Sequence, residues 1–184
     1  MEQARSAPHP SRPAIPAAII SACGGYRYLL RRDLGDSCRR AIFIMLNPST
    51  ADANQDDPTI RRCIGFAKAW DCGQLIVLNL FAIRATDPTV MLCARDPEGP
   101  DNWQHFERIF GSAGTIDPLS GARDIVVAAW GAHGSHQHQD VTVMGWLDRW
   151  LVNVECLGQT KAGQPKHPLY LAANSPRLPY QGRA

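Results

Sequence analysis

The strongest constraint on this chain is a set of short apolar runs: AIFIML (41–46), LIVLNLF (75–81) and DIVVAAWG (124–131), separated by segments long enough for helices. Apolar runs of this length without strict alternation fit strands covered on both faces, as in parallel sheets. After the first run, Asp57 and Pro58 open the stretch TIRRCIGFAKAWDCG. An Asp cap, Pro at the first helical position and Gly73 at the end predict a helix, with Ile60, Ile64 and Ala67 as its apolar stripe. Further helices are expected near Pro88, in DNWQHFERIF, and in DVTVMGWLDRWL (140–151), which returns to a fourth strand, VECLG (154–158). Strands alternating with helices imply right-handed βαβ units. AAIISACGGYRYLLRRD (17–33), turned by Gly-Gly, adds a hairpin or an edge strand. The expectation is one α/β domain over residues 14–184, a four-stranded, mainly parallel sheet flanked by helices. Residues 1–13, rich in Pro, Ser and Arg, precede it as a mobile arm.

Composition narrows the function classes. With 45% hydrophobic and 20% charged residues over 184 positions, the chain has the balance of a soluble domain with a real core. No apolar stretch reaches the roughly 20 residues of a membrane span, and the N-terminus has no apolar h-region. A cytoplasmic monomer with no membrane partner is expected. The net charge of +2 neither demands nor excludes nucleic acid, since a local basic patch matters more than the total. The six cysteines, at 23, 38, 63, 72, 93 and 156, form no Cys-x-x-Cys pair. They read as reduced, mostly buried thiols, with no zinc, iron–sulfur or other cofactor expected.

Ligands of open parallel sheets bind beyond the carboxyl ends of the strands. Asn47 follows the first strand in the turn Asn-Pro-Ser-Thr, Asn79 interrupts the second near its end, and His167 follows the fourth. Asn47 alone reads equally well as a turn residue. Asn79 is harder to dismiss, because Asn is depleted in strands and a buried amide needs several partners. His133, His136 and His138 have spacing that suits a metal, but no carboxylate or cysteine pattern supports one. No nucleophile elbow, phosphate loop or dinucleotide fingerprint is present.

LNPSTADANQDDPTIRRC, VLNLFAIRATDP and CLGQTKAGQPKHPLYL together resemble a small bacterial and phage family known as a domain of unknown function, over roughly residues 24 to 172. The layout is also distantly similar to the uracil-DNA glycosylase superfamily. There MLNPS resembles the water-positioning motif Gly-Ile-Asn-Pro-Gly, LNLFAIRATDP the base-reading strand, VVAAWGAHG the third-strand motif and His167-Pro168 the final His-Pro-Ser. Ser49 stands in place of that motif's glycine, and no aspartate occupies the water-activating position of the faster branches.

This resemblance implies a uracil-DNA glycosylase-like fold and a DNA glycosylase-like hydrolase that removes uracil or another deaminated or modified base. Asn47 and His167 would be catalytic, and Asn79, Pro48 and Ser49 would contact the base. Arg61, Arg62, Arg84, Lys161 and Lys166 would contact DNA, with Leu169 or Tyr170 filling the space of a flipped base. The alternatives are a module that binds a base, nucleotide or nucleic acid without cleavage, and a hydrolase of free nucleosides or nucleotides.

Overall fold

The computed structural model describes residues 15–111 and 124–182. The expected arm at 1–13 and nearly all of the loop GSAGTIDPLSGA lie outside the described residues. The strands are β1 (Ala18–Ile20), β2 (Arg27–Asp33), β3 (Arg40–Met45), β4 (Gln74–Asn79), β5 (Ile125–Ala128), β6 (Val154–Cys156) and β7 (Leu178–Pro179). The helices are α1 (Pro58–Ala69), α2 (Pro88–Cys93), α3 (Asn102–Phe110) and α4 (Gln139–Arg149).

Among the described residues the sheet has seven strands in the order β1-β2-β4-β3-β5-β6-β7. Its middle, β4-β3-β5-β6, is parallel throughout. β1 and β2 pair antiparallel and join β4 antiparallel, and β7 pairs antiparallel with β6. The expected four parallel strands are therefore the centre of a larger mixed sheet. The Gly-Gly hairpin extends one edge. On the other edge, β7 has two residues, one a proline, too few for a periodic pattern to reveal it.

Both faces are covered, as unalternated strands require. Phe43, Met45, Leu75, Val77 and Val127 meet Ile60, Cys63 and Phe66 of α1. Ile42, Ile44, Ile76, Leu78 and Val126 meet Phe106 and Ile109 of α3 and Val143 and Leu147 of α4. α1 begins as its sequence predicts: Pro58 is at its start, and Asp57 Oδ1 accepts from the Ile60 N–H at 2.8 Å. Gly73 does not end it, because Trp70 is the cap residue. A Cβ on Gly73 would instead lie 1.9 Å from the Ser37 carbonyl oxygen, so close backbone approach requires glycine there.

All six cysteines are free thiols; Cys63, Cys72 and Cys156 are buried, whereas Cys23, Cys38 and Cys93 are exposed. Burial therefore holds for half of them. Among the described residues, no helix is long and apolar enough to cross a membrane.

Candidate functional site

At the carboxyl ends of β3, β4 and β5 the loops enclose a cleft of about 470 Å³. Asn47, Ser49, Asn79, His167, Leu169 and Tyr170 line it, and so do Arg27, Asp57, Trp130 and His133. Parallel packing explains the convergence. The β3 and β4 exits run side by side, with Leu80 N–H donating to the Met45 carbonyl, Phe81 N–H to Leu46 and Ala85 N–H to Pro48, each at 2.9 Å. Gly131, just past β5, donates to the Pro165 carbonyl at 2.9 Å and brings in the segment carrying His167. A larger groove of about 860 Å³ runs along α4, β6 and β7, but Asn79 and Arg27, which carry buried side-chain atoms without partners among the described residues, line the smaller cleft.

Asn79 is 1% exposed, yet neither its Nδ2 nor its Oδ1 has a hydrogen-bond partner among the described residues. Buried amides are normally satisfied, so this one requires an explanation. The strand end that carries it is fixed: Asn102 Nδ2 donates to the carbonyls of Asn79 (3.0 Å) and Leu80 (3.1 Å). The amide is thus presented to the cleft from a rigid backbone.

Arg27 is a second buried polar group, 2% exposed. Its Nη1 donates to the Ala51 carbonyl at 2.5 Å, and its Nε has no partner among the described residues. Burial lowers its pKa to about 10, against the opposing pull of Asp57 and with help from the neighbouring Arg84 and Arg32. It remains a cation at neutral pH. Asp57 is the one carboxylate among the lining residues, and its helix-cap bond fixes it there.

His167 is held from both sides. Upstream, Trp130 Nε1 donates to Gln164 Oε1 and Gln164 Nε2 donates to Asp140 Oδ2, both at 2.6 Å. Downstream, Arg62 Nη2 donates to the Leu171 carbonyl, with its guanidinium over the Phe66 ring. His167 Nδ1 accepts from the Leu169 N–H at 3.3 Å, which assigns the ring proton to Nε2. Burial lowers its pKa below the ordinary imidazole value, with Asp57 acting the other way. At neutral pH the ring is an uncharged Nε2–H donor. Beside it, Leu169 and Tyr170 form the rim, Tyr170 being 83% exposed.

Asn47 has a structural task as well. Its Nδ2 donates to the carbonyls of Ala85 (2.8 Å) and Pro48 (3.2 Å), stapling the β3 exit to the β4 exit. Its Oδ1 is the group left for a ligand or water. Pro48 is buried and contributes through its carbonyl rather than as a lining residue.

None of Arg61, Arg62, Arg84, Lys161 and Lys166 is among the lining residues. Arg61 bonds the Asp56 carbonyl at 2.5 Å and Arg84 the Gly24 carbonyl at 3.2 Å, so these guanidinium groups, like that of Arg62, brace loops. Lys161 and Lys166 are exposed. The cation lining the cleft is Arg27, which the sequence reading missed. Its signal was available: an arginine opening an otherwise apolar stretch, RYLL. Asp57 was recognised as a helix cap but not as a cleft residue. Among the described residues, no group of three or more His, Cys, Asp or Glu side chains could hold a metal ion.

The cleft lies at the carboxyl ends of parallel strands, the place where open α/β sheets generally take their ligands. A family model described as "Protein of unknown function (DUF1643)" matches residues 27–169, and the chain belongs to that family. No curated protein and no solved structure matches it.

Proposed function

We propose that the cleft binds a nucleobase and that the protein is a DNA glycosylase-like hydrolase, cleaving the bond between a deaminated or modified base and deoxyribose. The buried, unpaired amide of Asn79 carries this reading. An amide that offers one donor and one acceptor side by side complements a base edge with the reverse pattern. It rejects a base that would leave either group unpaired. The uracil-DNA glycosylase-like arrangement, with Asn at two successive strand ends and His after a later strand, supports the same assignment by resemblance.

Cleavage of the N-glycosidic bond develops positive charge on the sugar and negative charge on the departing base. The neutral His167 Nε2–H is a preorganised donor for that anion. The Asp57 carboxylate favours the sugar cation, and Asn47 Oδ1 is an acceptor that can orient the attacking water without ionising. Substrate in duplex DNA would present the base flipped out of the stack, with exposed Tyr170 and Leu169 at the rim to occupy the vacated space.

Incubation with oligonucleotides containing uracil, hypoxanthine or modified bases, followed by alkali, detects abasic sites. One base should yield strand cuts, and His167→Ala should slow its release by about a hundred- to a thousandfold, the usual loss of one oxyanion-type donor. Equal rates for both proteins on every substrate would reject the assignment.

One observation favours a second reading, a module that binds a base or nucleotide without cleaving it. Asn47 commits its Nδ2 to loop carbonyls, a purely structural use. Base-specific binding with no abasic product from any substrate would decide for that reading.

A further inference from the structure

We infer that Arg27 forms an anion subsite in the cleft and takes a phosphate group attached to the bound nucleoside. This rests on the reading of the cleft as a base-binding site. The placement follows from strand pairing: Leu30 of β2 lies opposite Val77 of β4, and Tyr26 bridges to Ile83. Arg27 N–H donates to the Ala82 carbonyl at 2.8 Å, so the residue sits one strand over from the end of β4 that carries Asn79. Both side chains line the same cleft.

Depth sets Arg27 apart from the arginines that brace loops: it is almost fully buried, whereas Arg61 is exposed and Arg62 and Arg84 are half-buried. Within the described residues its one side-chain bond is to the Ala51 carbonyl, and it forms no carboxylate ion pair to offset that burial. A guanidinium satisfied only through Nη1 keeps a planar array of donors suited to a phosphate oxygen. A structural arginine at this depth would normally be paired, as Arg40 is with Asp124. The neighbouring Arg84 and Arg32 add to the positive field, and the start of α1 at the cleft adds a helix N-terminal dipole. Asp57, whose charge acts on Arg27, counters part of that field.

The phosphate belongs either to a free nucleotide or to the DNA backbone beside the bound base. Titration calorimetry of the full chain with deoxynucleosides (deoxyuridine included), their monophosphates and short single strands distinguishes the two. A monophosphate should bind about ten- to a hundredfold tighter than its nucleoside, the worth of a charged hydrogen bond. Inorganic phosphate alone should raise the melting temperature. Arg27→Gln should erase both effects, with monophosphate affinity falling at least tenfold more than nucleoside affinity, and should the glutamine variant not fold, Arg27→Lys should retain part of both effects. Preference for the monophosphate over the strand identifies free nucleotide as the source, and the opposite preference identifies DNA. Equal affinity within each pair, no response to inorganic phosphate, or equal loss of nucleoside and nucleotide binding in the variants overturns the subsite. Loss of base discrimination with the phosphate preference intact would overturn the base assignment alone.

Discussion

The two ends of the same parallel strands bury polar groups in opposite ways. At the amino ends, Arg40 opens β3 and Asp124 stands immediately before β5. Arg40 Nε donates to Asp124 Oδ1 at 3.0 Å, and Nη2 donates to Oδ2, so both carboxylate oxygens are engaged. At the carboxyl ends, Asn79 and the Nε of Arg27 are equally buried and have no such partner among the described residues. Burial alone therefore does not mark a site; pairing separates the two. A satisfied buried pair serves the fold, whereas orphaned donors and acceptors cost stability until something outside the chain meets them.

The sharpest way to break this comparison is Asp124→Ala, which strands the Arg40 guanidinium. Removing one partner of a buried ion pair costs about 3–5 kcal/mol, read from urea unfolding, while base discrimination in the cleft should survive. A loss below about 1 kcal/mol would mean that the amino end is no more committed to stability than the other.

The counterpart is Asn79→Leu. It deletes an unsatisfied donor and acceptor in favour of an apolar side chain of similar size. The protein should gain about 1–3 kcal/mol, the desolvation cost of such groups, and lose its preference among bases. Destabilisation on the scale of Asp124→Ala would show that the amide is satisfied in solution, and the contrast between the two ends would fall.

The smallest effect is a pH dependence. His167 and His105 both have pKa values lowered by burial, so the unfolded chain binds more protons than the folded one just below the ordinary imidazole pKa of about 6.5. Their contribution is complete above that value and is lost as pH falls through the lower folded values. Urea midpoints should rise as pH climbs toward about 6.5 and level off above it. His167→Asn, which keeps a cap acceptor for the Leu169 N–H, should flatten part of the slope and His105→Phe the remainder. An unchanged slope in both variants would remove the half-buried, uncharged His167 from the account of the cleft.

The parallel core was legible because its signals are local. AIFIML and LIVLNLF are continuous apolar runs, and Asp57-Pro58 caps α1 with the hydrogen bond its residue types favour. Asn79 could be singled out for the same reason, as one amide breaking an apolar strand. Arg27 was passed over because its neighbours marked it as an edge strand. Only the pairing of β2 with β4 shows that this edge borders the cleft. Arg61, Arg62 and Arg84 were expected to contact DNA because they sit in or near the motif loops, yet the carbonyls they engage were invisible before the chain folded.

By itself, then, the sequence determined the α/β class, the middle strands, the helix starts and the candidacy of Asn47, Asn79 and His167, since propensity, capping and periodicity act over a few residues. Which side chains share the cleft was decided by the tertiary structure. So was the uncharged Nε2–H form of His167, which depends on the Leu169 N–H and on burial. The same holds, among the described residues, for the missing partners of the Asn79 amide and the Arg27 Nε. Hydrogen-bond satisfaction is a property of everything that surrounds a group, and no window of sequence contains its surroundings.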